Sequence, residues 1–157
     1  MGYFHASNQG NLTAAIANGN AIAGLTPAAA VNFKIIAIQL GVNNVGGAIT
    51  DFDVSVGVNL ATARGTITTT ATSFRSDPNT AASGISGLDV VYSVQPTLAA
   101  NDAAMWSFNS RGGLTLNFNP WEWVSNVGTA NPIVFLNRSG AALPASHAVT
   151  IGIEWLE

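Results

Sequence analysis

The sequence predicts an all-β chain: an antiparallel β-sandwich, a jelly roll of about eight strands. Three observations lead there. Apolar residues recur at every second position in several segments, most cleanly in residues 51–60 and 149–155, which places them on one face of a strand. The strand-like segments lie roughly ten residues apart, with Gly, Pro and Asn between them. No stretch of ten or more residues shows the period of an amphipathic helix.

The last fourteen residues, 144–157, organise the rest. Val149, Ile151, Ile153 and Trp155 share one face, with Thr150, Gly152 and Glu154 on the other. So apolar a face predicts a central strand with earlier strands on both sides.

Taken in order, residues 1–33 carry no charged side chain. Residues 1–30 read as an uncharged arm, and residues 31–157 as the jelly-roll domain. Within the arm, Asn18-Gly19 sits in a near-palindrome (AIANGNAIA) and predicts a tight hairpin. An isolated hairpin of Ala and Ile is marginal in water, so it must lean on its own domain or on a neighbouring subunit. Residues 31–42 (VNFKIIAIQLGV) predict a long strand buried on both faces around Ile35 to Ile38. In residues 51–60, Phe52, Val54, Val56, Val58 and Leu60 face one way. The Thr-rich residues 66–74 predict an edge or outer strand. Residues 75–87 form a long turn-rich stretch of the kind that carries function or moves. Short strands follow at 88–94, 105–109 and 114–118, then an aromatic corner (PWEWV, 120–124) and a short buried strand at 132–137.

With 157 residues and no Cys, the chain is long enough for one cored domain without disulfides. Its net charge of −3 argues against a nucleic-acid partner. Only 8% of residues are charged, against about 25% in an ordinary domain. Asn, Thr, Ser, Gly and Ala stand in their place. Surface charge keeps a free monomer soluble, so a neutral surface suits a protein packed against copies of itself or a larger partner; a simply polar, low-charge domain is the plainer reading. No run approaches the roughly 18 apolar residues of a membrane span, and the N-terminus lacks signal-peptide and myristoylation patterns. The acceptor patterns at Asn11 and Asn137 are expected by chance in so Asn- and Thr-rich a chain.

Candidate chemistry is sparse, and we expect no catalytic residue, metal ligand or cofactor. Asp51 and Asp53 share a strand face but offer too few oxygens for calcium. His5 and His147 are the only histidines, too few for a cupin-like metal site. Residues 84–88 break the G-x-S-x-G elbow at Leu88, and phosphate- and dinucleotide-binding glycine motifs are absent. Trp121 and Trp123 project the same way if extended; they are core or interface anchors, or a platform for a sugar ring.

Lys34-Ile-Ile36, residues 76–80 (SDPNT), Asn119-Pro-Trp121, residues 132–136 (PIVFL) and residues 149–157 together resemble the small jelly-roll, tumour-necrosis-factor-like head decoration or cement proteins of tailed double-stranded DNA phages and gene-transfer particles. The similarity covers most of residues 31–157 and leaves the arm unaccounted for. It implies a virion protein, made in the host cytoplasm, that sits as a homotrimer on the outer capsid surface and stabilises the lattice of the major capsid protein. The alternative is a carbohydrate- or receptor-binding module of a phage tail or fibre. Partner contacts are expected at Tyr3, Phe4, Leu12, Ile16 and Ile22 of the arm, at Arg75 and Asp77 of the long loop, and at Trp121 and Trp123.

Overall fold

The computed structural model of this chain describes residues 2–8, 15–27, 33–47, 50–76, 81–85, 87–119, 124–125 and 132–157. It contains β1 (Tyr3–Ser7), β2 (Ala21–Leu25), β3 (Phe33–Asn44), β4 (Asp53–Leu60), β5 (Thr66–Thr72), β6 (Phe74–Arg75), β7 (Gly87–Val94), β8 (Ala104–Asn109), β9 (Leu114–Asn117), β10 (Val124–Ser125), β11 (Ile133–Asn137) and β12 (His147–Leu156). They form two antiparallel sheets of six strands. The first runs β10-β3-β12-β1-β6, with β9 also paired to β3; the second runs β5-β7-β2-β11-β4-β8.

The pairings nest. β1 lies on β12, β2 on β11, β3 on β9 and β4 on β8. That is one long hairpin folded over itself so that successive strands pass between two sheets, the winding of a jelly roll. The expected fold class therefore holds, with twelve strands among the described residues in place of about eight. The additional four are β1 and β2 from residues 1–30 and the two-residue β6 and β10.

The described parts of residues 1–30 depart from the expectation of an arm. β1 sits between β12 and β6, and β2 between β7 and β11. All five residues of β2 are buried. A segment with no charge to desolvate can occupy the middle of a sheet at no electrostatic cost. Asn18-Gly19 does turn the chain, with the Asn20 N–H donating to Ala17 O at 3.1 Å. Gly19 has φ +86° while Asn18 is not in the left-handed region, which is a type II rather than a type I′ geometry. Its flanks therefore do not pair as a hairpin. The Gly19 N–H donates to Asn137 O at 2.7 Å and Asn20 O accepts from Asn137 N–H at 3.0 Å, so the turn is docked on the end of β11.

β12 is central, as its pattern predicts. Val149, Ile151, Ile153 and Trp155 are buried, and its register on β3 runs from His147↔Asn44 to Leu156↔Lys34. The register slips between Glu154↔Ala37 and Trp155↔Ile35, leaving Ile36 as the extra residue of a bulge. The inward phase of β3 accordingly changes from Phe33 and Ile35 to Ile38 and Leu40, and Ile36 is only half-buried. The apolar run at 35–38 thus marks a phase change, not a strand buried on both faces. Phe4 lies opposite Trp155, their rings 6.0 Å apart and 21° from parallel, and both are almost wholly buried. Against this face the second sheet sets Ile22, Leu25, Val54, Val56, Val58, Leu88, Ile133 and Phe135.

β11 is buried throughout for a different reason on each face. Ile133 and Phe135 enter the main core. Val134 and Leu136 join a smaller cluster with Ala21 and Ala61, against which Tyr92 and Leu98 pack. The segment between β7 and β8 covers that outer face. β5 is an edge strand, as expected, and pairs only with β7. The alternation of β4 holds for Val54, Val56 and Val58 and ends there, with Asn59 buried and Leu60 exposed.

Candidate functional site

The residues expected at a partner surface separate into three groups. Tyr3 and Arg75 are exposed. Phe4, Ile16 and Ile22 are core residues, which overturns their assignment as contacts: each is already covered by its own chain. Leu12, Asp77, Trp121 and Trp123 lie outside the described residues. β6 brings Arg75 beside β1, pairing it with Phe4 along the backbone.

The charged groups are mostly engaged within the chain. Asp89 is 1% exposed and accepts from Arg64 Nε at 2.9 Å and Nη2 at 2.6 Å, from Thr26 Oγ1 at 2.9 Å and from Thr70 Oγ1 at 3.2 Å. A carboxylate that deep persists only when paired and hydrogen-bonded. Asp102 accepts from Arg138 Nε at 2.7 Å and Nη2 at 2.8 Å. Hydrogen bonds from Arg138, with Asn59 adding, hold the Asp102 carboxyl below its ordinary pKa against the opposing effect of burial. Arg111 meets Asp51 at 3.5 Å. Asp51 and Asp53 share the Asn109 amide, at 2.6 and 3.4 Å, and no cation is needed to hold them. Among the described residues, no three His, Cys, Asp or Glu side chains gather at a metal-binding distance.

His147 is buried beside Ser146, its Nδ1 2.8 Å from the hydroxyl. The pair has the composition of a nucleophile and its base. However, Nε2 accepts the Thr50 backbone N–H at 3.3 Å, which puts the ring proton on Nδ1, pointing at Ser146. The ring offers that serine no lone pair, and the contact is structural. Gly84, the first residue of the incomplete elbow sequence, and Ser83 before it are held by Glu157. The Glu157 carboxylate accepts from Ser83 Oγ, from Gly84 N at 2.7 Å and from Trp155 Nε1 at 2.9 Å.

Three buried asparagines escaped the sequence reading. Asn8 spans Val149 O and Ile151 N, Asn59 holds Ala99, Asn101 and Asp102, and Asn137 reaches Ile16 O and Ala141 O. Each satisfies main-chain groups of a neighbouring segment, which a side-chain amide does with both a donor and an acceptor. Asn59 is in phase with Asp53 and Ser55 on the polar face of β4, so the sequence pattern carries no signal of its burial.

Two surfaces stand out among the described residues. The outer face of the first sheet carries a trough of about 380 Å³ across β1, β12, β3 and β9. Ser7, Gly152, Gln39 and Thr115 align across those four strands by register. The absence of a side chain at Gly152 makes the floor. At one end, Glu154 lies opposite His5 and accepts from the Tyr3 hydroxyl at 3.1 Å. Partial burial, and then this carboxylate, raise the Tyr3 pKa. The His5 ring stacks on Phe74, centroids 5.5 Å apart and 21° from parallel. The other surface belongs to the second sheet, which exposes Leu60, Val94 and Met105. No family model, curated protein or solved structure matches the chain.

Proposed function

We propose that this chain is a structural virion subunit, a decoration or cement protein that binds the outer surface of a major capsid lattice and stabilises it, self-associating as a homotrimer. The observation that carries the reading is the near absence of free surface charge. Only 8% of residues are charged, and three of the five basic residues are tied to carboxylates. A core assembled within one chain, wrapped in neutral polar and small residues, suits permanent packing against other subunits. The jelly-roll winding supports the same reading, as does the resemblance that the short motifs within most of residues 31–157 bear to head decoration proteins.

The mechanism is mass action. A subunit that binds only the assembled lattice stabilises it by RT ln(1 + [L]/Kd) per site, about 2.7 kcal/mol at a hundredfold excess over Kd. We place the lattice contact on the second sheet, at Leu60, Val94 and Met105. Co-sedimentation with capsid particles tests it. Wild-type protein pellets with particles at saturable occupancy. Met105→Asp, at a side chain 61% exposed, leaves stability within about 0.5 kcal/mol and lowers affinity at least about tenfold, as desolvating one unpaired charge requires. Pelleting at wild-type occupancy by this variant would remove the second sheet from the contact. Light scattering should give about three times 16.1 kDa; a monomer would remove the trimer.

A further inference from the structure

We propose that the trough on the outer face of the first sheet binds a neutral saccharide. This does not rest on the lattice contact, which was placed on the opposite sheet.

The chemistry of the lining selects the ligand. Among the described residues, no Lys or Arg lines the trough, so none of them offsets a phosphate, sulfate or carboxylate. What lines it instead is a row of neutral donors and acceptors. Ser7 and Gln39 flank Gly152 on either side, and Thr115 stands beyond Gln39. The Gln39 carboxamide is a planar donor and acceptor, and it is exposed. Such a group meets two adjacent hydroxyls of a sugar at once, which a point charge cannot do. Glu154 adds acceptor oxygens at one end, and its second partner, Tyr3, is already in place.

The shape agrees. Gly152, beside Gln39, leaves the sheet backbone without a side chain in the middle of the trough, while the Thr150 hydroxyl lies over Gly41, and the gap at Gly152 allows close approach of a ring. The exposed His5 ring lines the trough and stacks on Phe74, and an aromatic face is the kind of surface on which sugar C–H groups pack. The volume, about 380 Å³, falls in the range of about 300–1,000 Å³ typical of small-ligand sites. It accommodates a short oligosaccharide lying across the strands.

Gly152 also supplies the test. A Cβ there would meet Gln39 Cβ and Oε1 at 3.6 Å, an ordinary contact, and the backbone is not in the left-handed region. Gly152→Val therefore fills the floor of the trough while suiting a strand, and Gly152→Ala is a milder second variant. The experiment titrates maltotriose, cellotriose and mannotriose, at up to about ten times a millimolar Kd, into the ¹⁵N-labelled protein. At least one should produce saturable shifts in the Gln39 side-chain amide and in the Gly41 and Gly152 amides. Gly152→Val should weaken that binding at least tenfold with an unchanged melting temperature, and Gln39→Ala should weaken it with the fold intact. If Gly152→Val lowers the melting temperature, Gly152→Ala carries the comparison. The proposal is overturned if none of the three sugars shifts these amides. It is equally overturned if shifts survive in both Gly152 variants, if they map to Trp121 and Trp123, or if the same amides shift with protein concentration alone, which would make a second copy the occupant.

Discussion

Removing one oxygen from Tyr92 should make this protein more stable. Its hydroxyl is the buried side-chain polar atom without a hydrogen-bond partner among the described residues. Burial chiefly, and then the neighbouring Asp89 carboxylate, raise its pKa far above that of an ordinary tyrosine. A buried donor left unmade costs about 1–3 kcal/mol. Tyr92→Phe keeps the ring against Val134 and Leu136 and deletes only the penalty, so we expect a gain of about 1 kcal/mol. In urea, with a slope of about 1–3 kcal/mol/M, the midpoint rises by about 0.3–1 M. Melting rises by about 2–4 °C for a chain of this size. A second background sharpens the test. A Cβ on Gly24 would overlap the Tyr92 oxygen, while its next neighbour, Ile133 O, lies at 3.3 Å. Gly24→Ala should therefore cost at least about 1 kcal/mol less when combined with Tyr92→Phe than in the wild type, a coupling read from a double-mutant cycle. The alkaline limb gives a third reading. The folded state keeps the phenol proton where the unfolded chain, with a pKa of about 10, releases it. Stability therefore falls as pH rises above about 10, and Tyr92→Phe should flatten that fall. If Tyr92→Phe is less stable than wild type, the hydroxyl has a partner, such as an enclosed water, and the reasoning fails.

Phe4→Ala removes a ring stacked on Trp155 and should cost about 3–5 kcal/mol, measured by urea unfolding; a loss under about 1 kcal/mol would return Phe4 to the surface role expected from the sequence. Asp102→Asn breaks the paired hydrogen bonds from Arg138 and should cost about 2 kcal/mol at neutral pH. Because the folded pKa of Asp102 is depressed, its contribution is complete above the unfolded value of about 3.9 and disappears as pH falls through the folded one. The variant should lose that part of the acid dependence, and parallel acid profiles would refute the assignment. Glu157→Ala unfastens Ser83, Gly84 and the Trp155 indole. At about 1 kcal/mol it should raise proteolytic cutting in residues 76–86 roughly fivefold, with little change at other sites.

The parts of the fold readable in advance were those where one strand face contrasts with the other. β12 and β4 alternate Val, Ile or Trp with Thr, Ser, Gly or Glu, and a period of two needs no partner to be seen. The arm failed that test: Ala, Ile, Gly and Leu in β2 carry no contrast because both faces are covered, so a sheet interior resembled a loose hairpin. The bulge at Ile36 exists only relative to β12, and no feature of residues 35–38 states where the opposite strand will slip. Nothing local marks the buried asparagines, because their hydrogen-bond partners lie up to about 140 positions away. The trough was illegible for the same reason. Gly152 and Gly41 are each an isolated glycine in a strand pattern, and only register sets them among Gln39, Ser7 and Thr115.

The nested winding has a consequence for synthesis. β1 and β3 flank a place in the first sheet that β12 fills, and β12 is made about a hundred residues after β3. Until it leaves the ribosome, the inward faces of both flanking strands, Phe4 and Ile38 among them, have no central neighbour. The second sheet waits similarly for β11. A chain emerging at about 5–20 residues per second therefore spends several seconds with two incomplete sheets. Its slow step is long-range pairing rather than local structure. Of the strands exposed in that interval, β1 and β2 lack the lysines that blunt a sheet edge, and β3 carries a single one, Lys34. Yield in the cell should consequently depend more on temperature and chaperone supply during translation than on the stability of the finished molecule.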